Sequence, residues 1–232
     1  MLTHGNLVSN TAQCLYPPEM LCVRPATQAF QSSTIGILPL FHIFGIGVVT
    51  LHTLCSGGKV TFMPGFEPEL FLKTIEEVKP NFLHLVPPLV QFCAHSPLVR
   101  PEHLESLEFV YIGAAPVGEA LAAKFKEKAP HLQFREGWGM TELSPVGAMT
   151  AFNDEILGSC GILLPNSEGK VVDIHTGQAL GPHLNGEICI KGPQVMKGYF
   201  DNETATQATM KGDWLHSGIM IWQHCMLLRL GS

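Results

Sequence analysis

Gly137-Trp138-Gly139-Met140-Thr141-Glu142 follows the strand-like run His131–Arg135, and the chain is organised around it. Two glycines bracketing an aromatic permit a tight backbone turn that a ligand can approach closely. Trp138 offers a flat face, Thr141 a hydroxyl and Glu142 a carboxylate. Together these suit an aromatic base, a phosphate oxygen and a hard cation such as Mg²⁺. Taken alone, the same six residues also fit a Gly-rich surface turn with an N-capping threonine, so their meaning depends on what surrounds them.

The surroundings alternate short apolar runs with amphipathic helices. Upstream of the motif, strands are expected at Thr34–Leu38, Lys59–Met63, Phe82–Val86 and Glu108–Ile112. Helices are expected at Asn6–Leu15, Ile43–Leu54, Glu67–Val78, Pro88–His95 and Glu119–Lys128. Glu67–Val78 shows the pattern well, with Pro68 near its first turn, apolar Leu70, Phe71, Ile75 and Val78 at helical spacing, and Pro80 beyond its end. This alternation predicts an α/β fold, a mostly parallel sheet covered by helices. In such sheets ligands sit beyond the carboxyl ends of strands. Gly113-Ala114-Ala115-Pro116 and Gly137–Glu142 each follow a strand, so they would wall one crevice if those strands are neighbours. After about Gly158 helical spacing fades into strand-like runs at Gly169–Ile174, Gly186–Ile190 and Gly198-Tyr199. That change predicts a smaller β-rich, distorted barrel-like subdomain. The expected division is 1–157, 158–218 and a divergent apolar tail, 219–232.

Composition narrows the function classes. Charged residues make up 15% and hydrophobic ones 46%, which points to a sizeable core rather than disorder. Lys and Arg total 14 against a net charge of −6, which argues against a nucleic-acid surface. The 7 cysteines are odd in number and hold no C-x-x-C pair, so a reducing, intracellular setting is expected; cytoplasm, peroxisome and mitochondrion stay open. The 11 histidines form no H-x-x-x-H cluster. The most apolar stretch, Ile35–Leu51, is interrupted by Pro39, His42 and three glycines, so no transmembrane segment is expected. No G-x-G-x-x-G follows an expected strand, which removes a Rossmann-type NAD enzyme.

Several stretches, in order, resemble the adenylate-forming superfamily of acyl-CoA synthetases, adenylation domains and luciferases, and within it the 4-coumarate–CoA ligase-like or medium-chain acyl-CoA ligase branch. Met1–Asn6 is similar to the segment following that family's phosphate loop, Pro39-Leu40-Phe41-His42-Ile43-Phe44-Gly45 to its acid-pocket motif, and Gly113–Pro116 to its adenine-side loop. Gly137–Glu142 is similar to its central motif, Gly186–Pro193 with Gly198-Tyr199-Phe200 to its G-E-[IL] motif, and Trp214-Leu215-His216-Ser217-Gly218 to the start of its W-x-H-[ST]-G-D motif. The resemblance implies part of the large N-terminal domain of an enzyme that joins a carboxylic acid to ATP, forming an acyl-adenylate, and then passes the acyl group to coenzyme A.

It also implies roles. Trp138 stacks on adenine, Gly113, Ala114, Ala115 and Gly139 border the nucleotide, Thr141 contacts phosphate and Glu142 holds Mg²⁺. His42 sits at the mouth of the acid pocket, which Pro145 and Val146 line. Without the resemblance His42 also reads as a core histidine, and Glu187 reads as a structural carboxylate. The partners implied are a small carboxylic acid, ATP and CoA.

The resemblance breaks at three points. The phosphate loop has no counterpart, since Ser32-Ser33-Thr34-Ile35-Gly36 lacks its lysine. Ile219 stands where the family has a ribose-binding Asp, and a branched alkyl group cannot accept ribose hydroxyls. The family's small C-terminal domain also has no counterpart. These departures predict a truncated chain with little ligase activity. The alternative is a non-catalytic nucleotide- or acyl-binding or interaction fragment. They also predict self-association or chaperone binding through uncovered apolar surface.

Overall fold

Four-residue runs rich in aliphatic and aromatic side chains, Phe82–Leu85 and Phe109–Ile112, form the central strands, and every residue of each run is buried because helices or loops cover both faces of the sheet. The computed structural model describes residues 1–16, 20, 22–151, 158–181 and 184–221. Helix α1 (His4–Leu15) opens with a Thr3–Asn6 capping box. Strand β1 (Ser33–Gly36) is followed by a helix wound as a π-helix over Phe44–His52 and as α2 over Thr53–Cys55, leading into β2 (Lys59–Phe62). Next come α3 (Pro68–Val78), β3 (Phe82–Leu85), α4 (Pro87–His95), α5 (Pro101–Leu104), β4 (Phe109–Ile112), α6 (Glu119–Lys126) and β5 (Gln133–Gly139). A 3₁₀ turn at Thr141–Leu143 joins β5 to β6 (Val146–Met149), and β7 (Ile162–Leu163) follows. Beyond lie β8 (Glu168–Val172), β9 (Gly186–Lys191), α7 (Glu203–Thr209), β10 (Met210–Lys211) and β11 (Trp214–Ile221).

Strands β3, β4 and β5 are parallel neighbours, and β6 and β7 extend the sheet antiparallel. The parallel pair β1–β2 adjoins this sheet through Asn81, whose N–H donates to Ser33 O at 3.1 Å and whose Oδ1 accepts from Ser33 N at 2.7 Å. Alternation splits each strand. Leu83, Leu85, Val110, Ile112 and Phe134 pack on one face against Phe71 and Ile75 of α3, Val90 of α4 and Phe125 of α6. Phe82, Phe109 and Tyr111 face the other way, towards Cys14 and Leu15 of α1.

The expected mostly parallel, helix-covered sheet is present. The β-rich part is not a closed barrel but a four-stranded antiparallel sheet in the order β10-β11-β9-β8, open at its ends among the described residues. Its core of Val171, Ile188, Ile190 and Leu215 is continuous with Leu143, Ala148 and Trp138 from the first sheet's edge. Gly198-Tyr199 is irregular rather than strand, and the Trp214–Gly218 stretch, to which the sequence reading assigned no element, begins β11. Of the expected apolar tail, residues 222–232 lie outside the described residues. Among the described residues, no helix is long and apolar enough to cross a membrane.

Two local departures shape the site. The helix expected at Ile43–Leu54 is present, but its first nine residues are wound wide. A Cβ on Gly45 would lie 2.2 Å from Pro39 O, and Thr50 Oγ1 donates to Gly45 O at 2.8 Å, five residues back. π-Turns of this kind occur often at functional sites. Strand β5, expected to stop at Arg135, continues to Gly139. Its glycines let it pair with β6, a strand the reading of the sequence did not include. A Cβ on Gly139 would sit 2.1 Å from Pro145 O, so that pairing requires glycine.

Candidate nucleotide and acid site

A cavity of about 400 Å³ opens where the loops after β4 and β5 meet the start of the π-helix. Neighbouring strands β4 and β5 place Gly113–Pro116 and the Gly137–Glu142 segment side by side, as the crevice argument requires. The lining includes Gly113, Ala114, Trp138, Gly139, Thr141 and Glu142 from these loops, with His42, Pro145 and Val146. Ala115 is exposed beside the cavity and is not part of its wall. Every other candidate residue is therefore drawn to one place.

Each wall has a local cause. Ala114 takes a left-handed conformation (φ 71°), and a Cβ on Gly113 would come within 2.7 Å of the Phe44 ring, so small residues are required where the loop passes the π-helix. Trp138 lies half-buried over Gly147, where a Cβ would meet its ring at 2.6 Å. The Trp138 indole nitrogen is buried without a hydrogen-bond partner. Thr141 is exposed, and Glu142 is half-buried with its Oε1 accepting the Tyr199 hydroxyl at 2.7 Å. A carboxylate and a hydroxyl on adjacent residues of a polar cavity mouth fit a hard, oxygen-seeking cation.

His42 is exposed, so it is not a core histidine; its Nδ1 accepts the Phe44 N–H at 3.1 Å, which fixes the ring at the cavity mouth. Val146 is held by Asn10 of α1, which donates to Val146 O at 2.8 Å and accepts from Val146 N at 3.1 Å.

The sequence reading missed the interior end. Cys14, Cys22, His52, Tyr111 and Met149 line it, from elements far apart in sequence. His52 Nδ1 lies 3.6 Å from Cys22 Sγ. Burial pushes His52 down to about 4 and His84, which stacks on Tyr111 at 5.7 Å, down to about 3, with the nearby His52 adding to the latter. The Tyr111 hydroxyl is buried and unpartnered, while the Arg135 guanidinium lies 4.7 Å from its ring centre. Glu136 was also missed. It accepts from Gly158 N at 3.1 Å and Val117 N at 3.5 Å, tying the loop after β4 to β5, and burial raises its carboxyl. No periodicity or spacing joins these residues in the sequence; only the fold does.

Glu187 lies outside the cavity and accepts from His216 Nδ1 at 2.7 Å and Gly218 N at 2.8 Å. Ile219 sits at the strand bulge with its N–H on Ser217 Oγ, and it presents no acceptor side chain.

Comparison with known proteins accords with this geometry. The chain is 41% identical over 224 residues to 4-coumarate–CoA ligase 2 of Oryza sativa subsp. japonica, covering 94% of this chain and 39% of that protein. It is 39% identical over 213 residues to a probable 4-coumarate–CoA ligase 3 of Dictyostelium discoideum, covering 91% of this chain and 38% of the relative. The chain thus spans about two-fifths of the length of the curated relatives it matches. Among solved structures, ATP-bound MatB from Rhodopseudomonas palustris superposes with a TM-score of 0.84 at 27% identity, covering 95% of this chain and 42% of that one. The O-succinylbenzoate coenzyme A synthetase MenE from Bacillus subtilis, in complex with ATP and magnesium ion, gives 0.76 at 26% identity, covering 95% and 44%. With residues 1–200 matching the AMP-binding enzyme family, the chain belongs to that family of adenylate-forming proteins.

Proposed function

We propose that this chain carries the adenine and acid sites of an ATP-dependent carboxylic acid–CoA ligase, which forms an acyl-adenylate and then an acyl-CoA. The observation that carries this reading is the single cavity bordered by Gly113, Ala114, Trp138, Gly139, Thr141 and Glu142 on one side and by His42, Pro145 and Val146 on the other. Trp138 stacks on the base, and the small residues Gly113 and Ala114 leave room for it, with Ala115 at the rim. Thr141 donates to a phosphate oxygen. Glu142, steadied by Tyr199, holds Mg²⁺, which when bound would neutralise charge on the phosphates. His42 donates to the acid's carboxylate and directs it towards the α-phosphate. Pro145, Val146 and the interior end hold the acyl part. Reaction between such aligned groups depends mainly on positioning and on charge stabilisation.

A second reading has a specific observation behind it. With Ile219 at the bulge of β11, the ribose lacks the carboxylate acceptor that the resemblance implies. Binding of nucleotide or acyl group with weak turnover follows from that. The test is acid-dependent ATP–pyrophosphate exchange with coumarate, octanoate and palmitate. Exchange above a Glu142→Ala control supports the ligase reading. Nucleotide binding without exchange supports the second, and neither from folded protein contradicts both.

A further inference from the structure

The face of β9 turned away from the second sheet's core carries a cluster that the nucleotide cavity does not use, with Cys189 fully buried in it. Along β9, Ile188 and Ile190 point into the core of the second sheet with Leu215 of β11. Glu187 and Cys189 therefore point the other way. Across the ladder, His216 pairs directly with Cys189. The bulge in β11 then shifts the register, so that Met220 rather than residue 218 pairs with Glu187. Gly218 takes the left-handed conformation the bulge needs (φ 69°), and its N–H donates to Glu187 Oε1 at 2.8 Å. This turns the Glu187 carboxylate back towards His216. The ligand atoms of Glu187, Cys189 and His216 all lie within 4.8 Å of one another.

The distances suit a shared ion. Cys189 Sγ is 3.4 Å from His216 Nδ1. In a tetrahedral zinc site, Zn–S and Zn–N bonds of about 2.3 and 2.0 Å place sulfur and nitrogen about 3.5 Å apart. Glu187 Oε2 is 2.7 Å from Nδ1, a hydrogen bond that would open by roughly half an ångström to share a metal. A thiolate, an imidazole and a carboxylate form a mixed soft and hard donor set that suits Zn²⁺ better than Mg²⁺ or Ca²⁺. The side chains of His216 and Glu187 are only 10% and 16% exposed, so little water competes for them, and the Gly218 N–H orients the carboxylate from behind.

We propose that Glu187, Cys189 and His216 form a Zn²⁺ site, with solvent as fourth ligand, that clamps β9 to β11 across the bulge. On binding, the Cys189 thiol loses its proton to solvent and the His216 proton leaves Nδ1 for Nε2, freeing one lone pair from each for the metal. Because the thiol must give up its proton to bind, binding strengthens as pH rises.

The experiment uses the whole chain, stripped of metal and titrated with Zn²⁺ by calorimetry and with Co²⁺ by absorbance. One Zn²⁺ per chain is expected, with a thiolate-to-cobalt charge-transfer band. Cys189→Ser, His216→Gln and Glu187→Gln should each weaken Zn²⁺ at least tenfold, with the folded state verified by circular dichroism. Zinc-edge X-ray absorption of the unmutated chain should show one sulfur and three nitrogen or oxygen neighbours; this reading stands alone if a variant fails to fold. Affinity weaker than roughly 100 μM overturns the proposal. So does an unchanged isotherm in all three variants, the signature of adventitious surface histidines, or a zinc shell with no sulfur or with two.

Discussion

The Tyr199 hydroxyl donates to Glu142 Oε1 across 2.7 Å, joining two segments 57 residues apart. Glu142 O also accepts from Met196 N at 2.8 Å, so both its backbone and its side chain are fastened to the loop before α7. The carboxylate assigned to the cation is therefore positioned by a residue outside the motif. The hydrogen bond to Glu142, followed by burial, raises the Tyr199 phenol above its ordinary 10.0. A raised folded value means that this contribution to stability is full below the unfolded pKa and is lost as pH climbs through the folded one. Spectroscopic titration should show two tyrosines ionising late, Tyr111 through burial and Tyr199 through this contact, and Glu142→Gln should bring only the Tyr199 step back towards 10. An unchanged titration would contradict the contact. Tyr199→Phe should lower nucleotide affinity in the presence of Mg²⁺ more than in its absence.

The buried histidines set an acid limit. Both His52 and His84 sit below the ordinary 6.5, so the folded state holds them neutral. Their contribution is fully present above about 6.5 and is lost as pH falls towards 4 and 3. For His52 the full loss is on the order of 3 kcal/mol. Urea unfolding at pH 7 and pH 5 should show the decline, and His52→Asn should flatten it. Equal slopes in both proteins would contradict this origin.

Gly139→Ala should cost about 3 kcal/mol, because its Cβ would lie 2.1 Å from the Pro145 carbonyl oxygen, an atom that cannot swing aside. Gly65→Ala, which meets nothing within 4 Å, should stay within about 0.5 kcal/mol. Urea midpoints of the two variants make the comparison. Equal losses would contradict the tight pairing of β5 with β6.

Apart from the one-turn helix α5, the strands and helices up to Glu136 were legible because each is a short apolar run or an amphipathic period, bounded by glycine or proline. The site was legible only in part. Gly137–Glu142 reads as a turn, yet its first three residues continue β5, because a glycine signals close backbone approach as readily as it signals a bend. His42 was ambiguous between core and cavity mouth, and its exposure decides between them. His52 and Tyr111 carry no local signal, since what brings them to the cavity is tertiary, and nothing local in the Gly198-Tyr199-Phe200 stretch shows that Tyr199 meets Glu142. β11 was hidden because its bulge at Gly218 breaks the alternation that marks a strand.

The two halves of the cavity should separate on mutation. Trp138→Ala should weaken AMP about tenfold through lost stacking, while Trp138→Phe retains most of the affinity. His42→Ala should leave AMP affinity unchanged and weaken the acid. Calorimetry with AMP and with the preferred acid reads both. A loss of AMP affinity in His42→Ala would contradict the assignment.

The most direct measurement is the affinity of a non-hydrolysable acyl-adenylate analogue, an acyl sulfamoyl adenosine, against AMP and the free acid. If base and acyl group occupy one continuous cavity, the analogue should bind at least 100-fold tighter than either part, as linked fragments do. It should weaken in both Trp138→Ala and His42→Ala. An analogue that binds no tighter than AMP, or that ignores one of the two substitutions, would contradict a joined adenine and acid site.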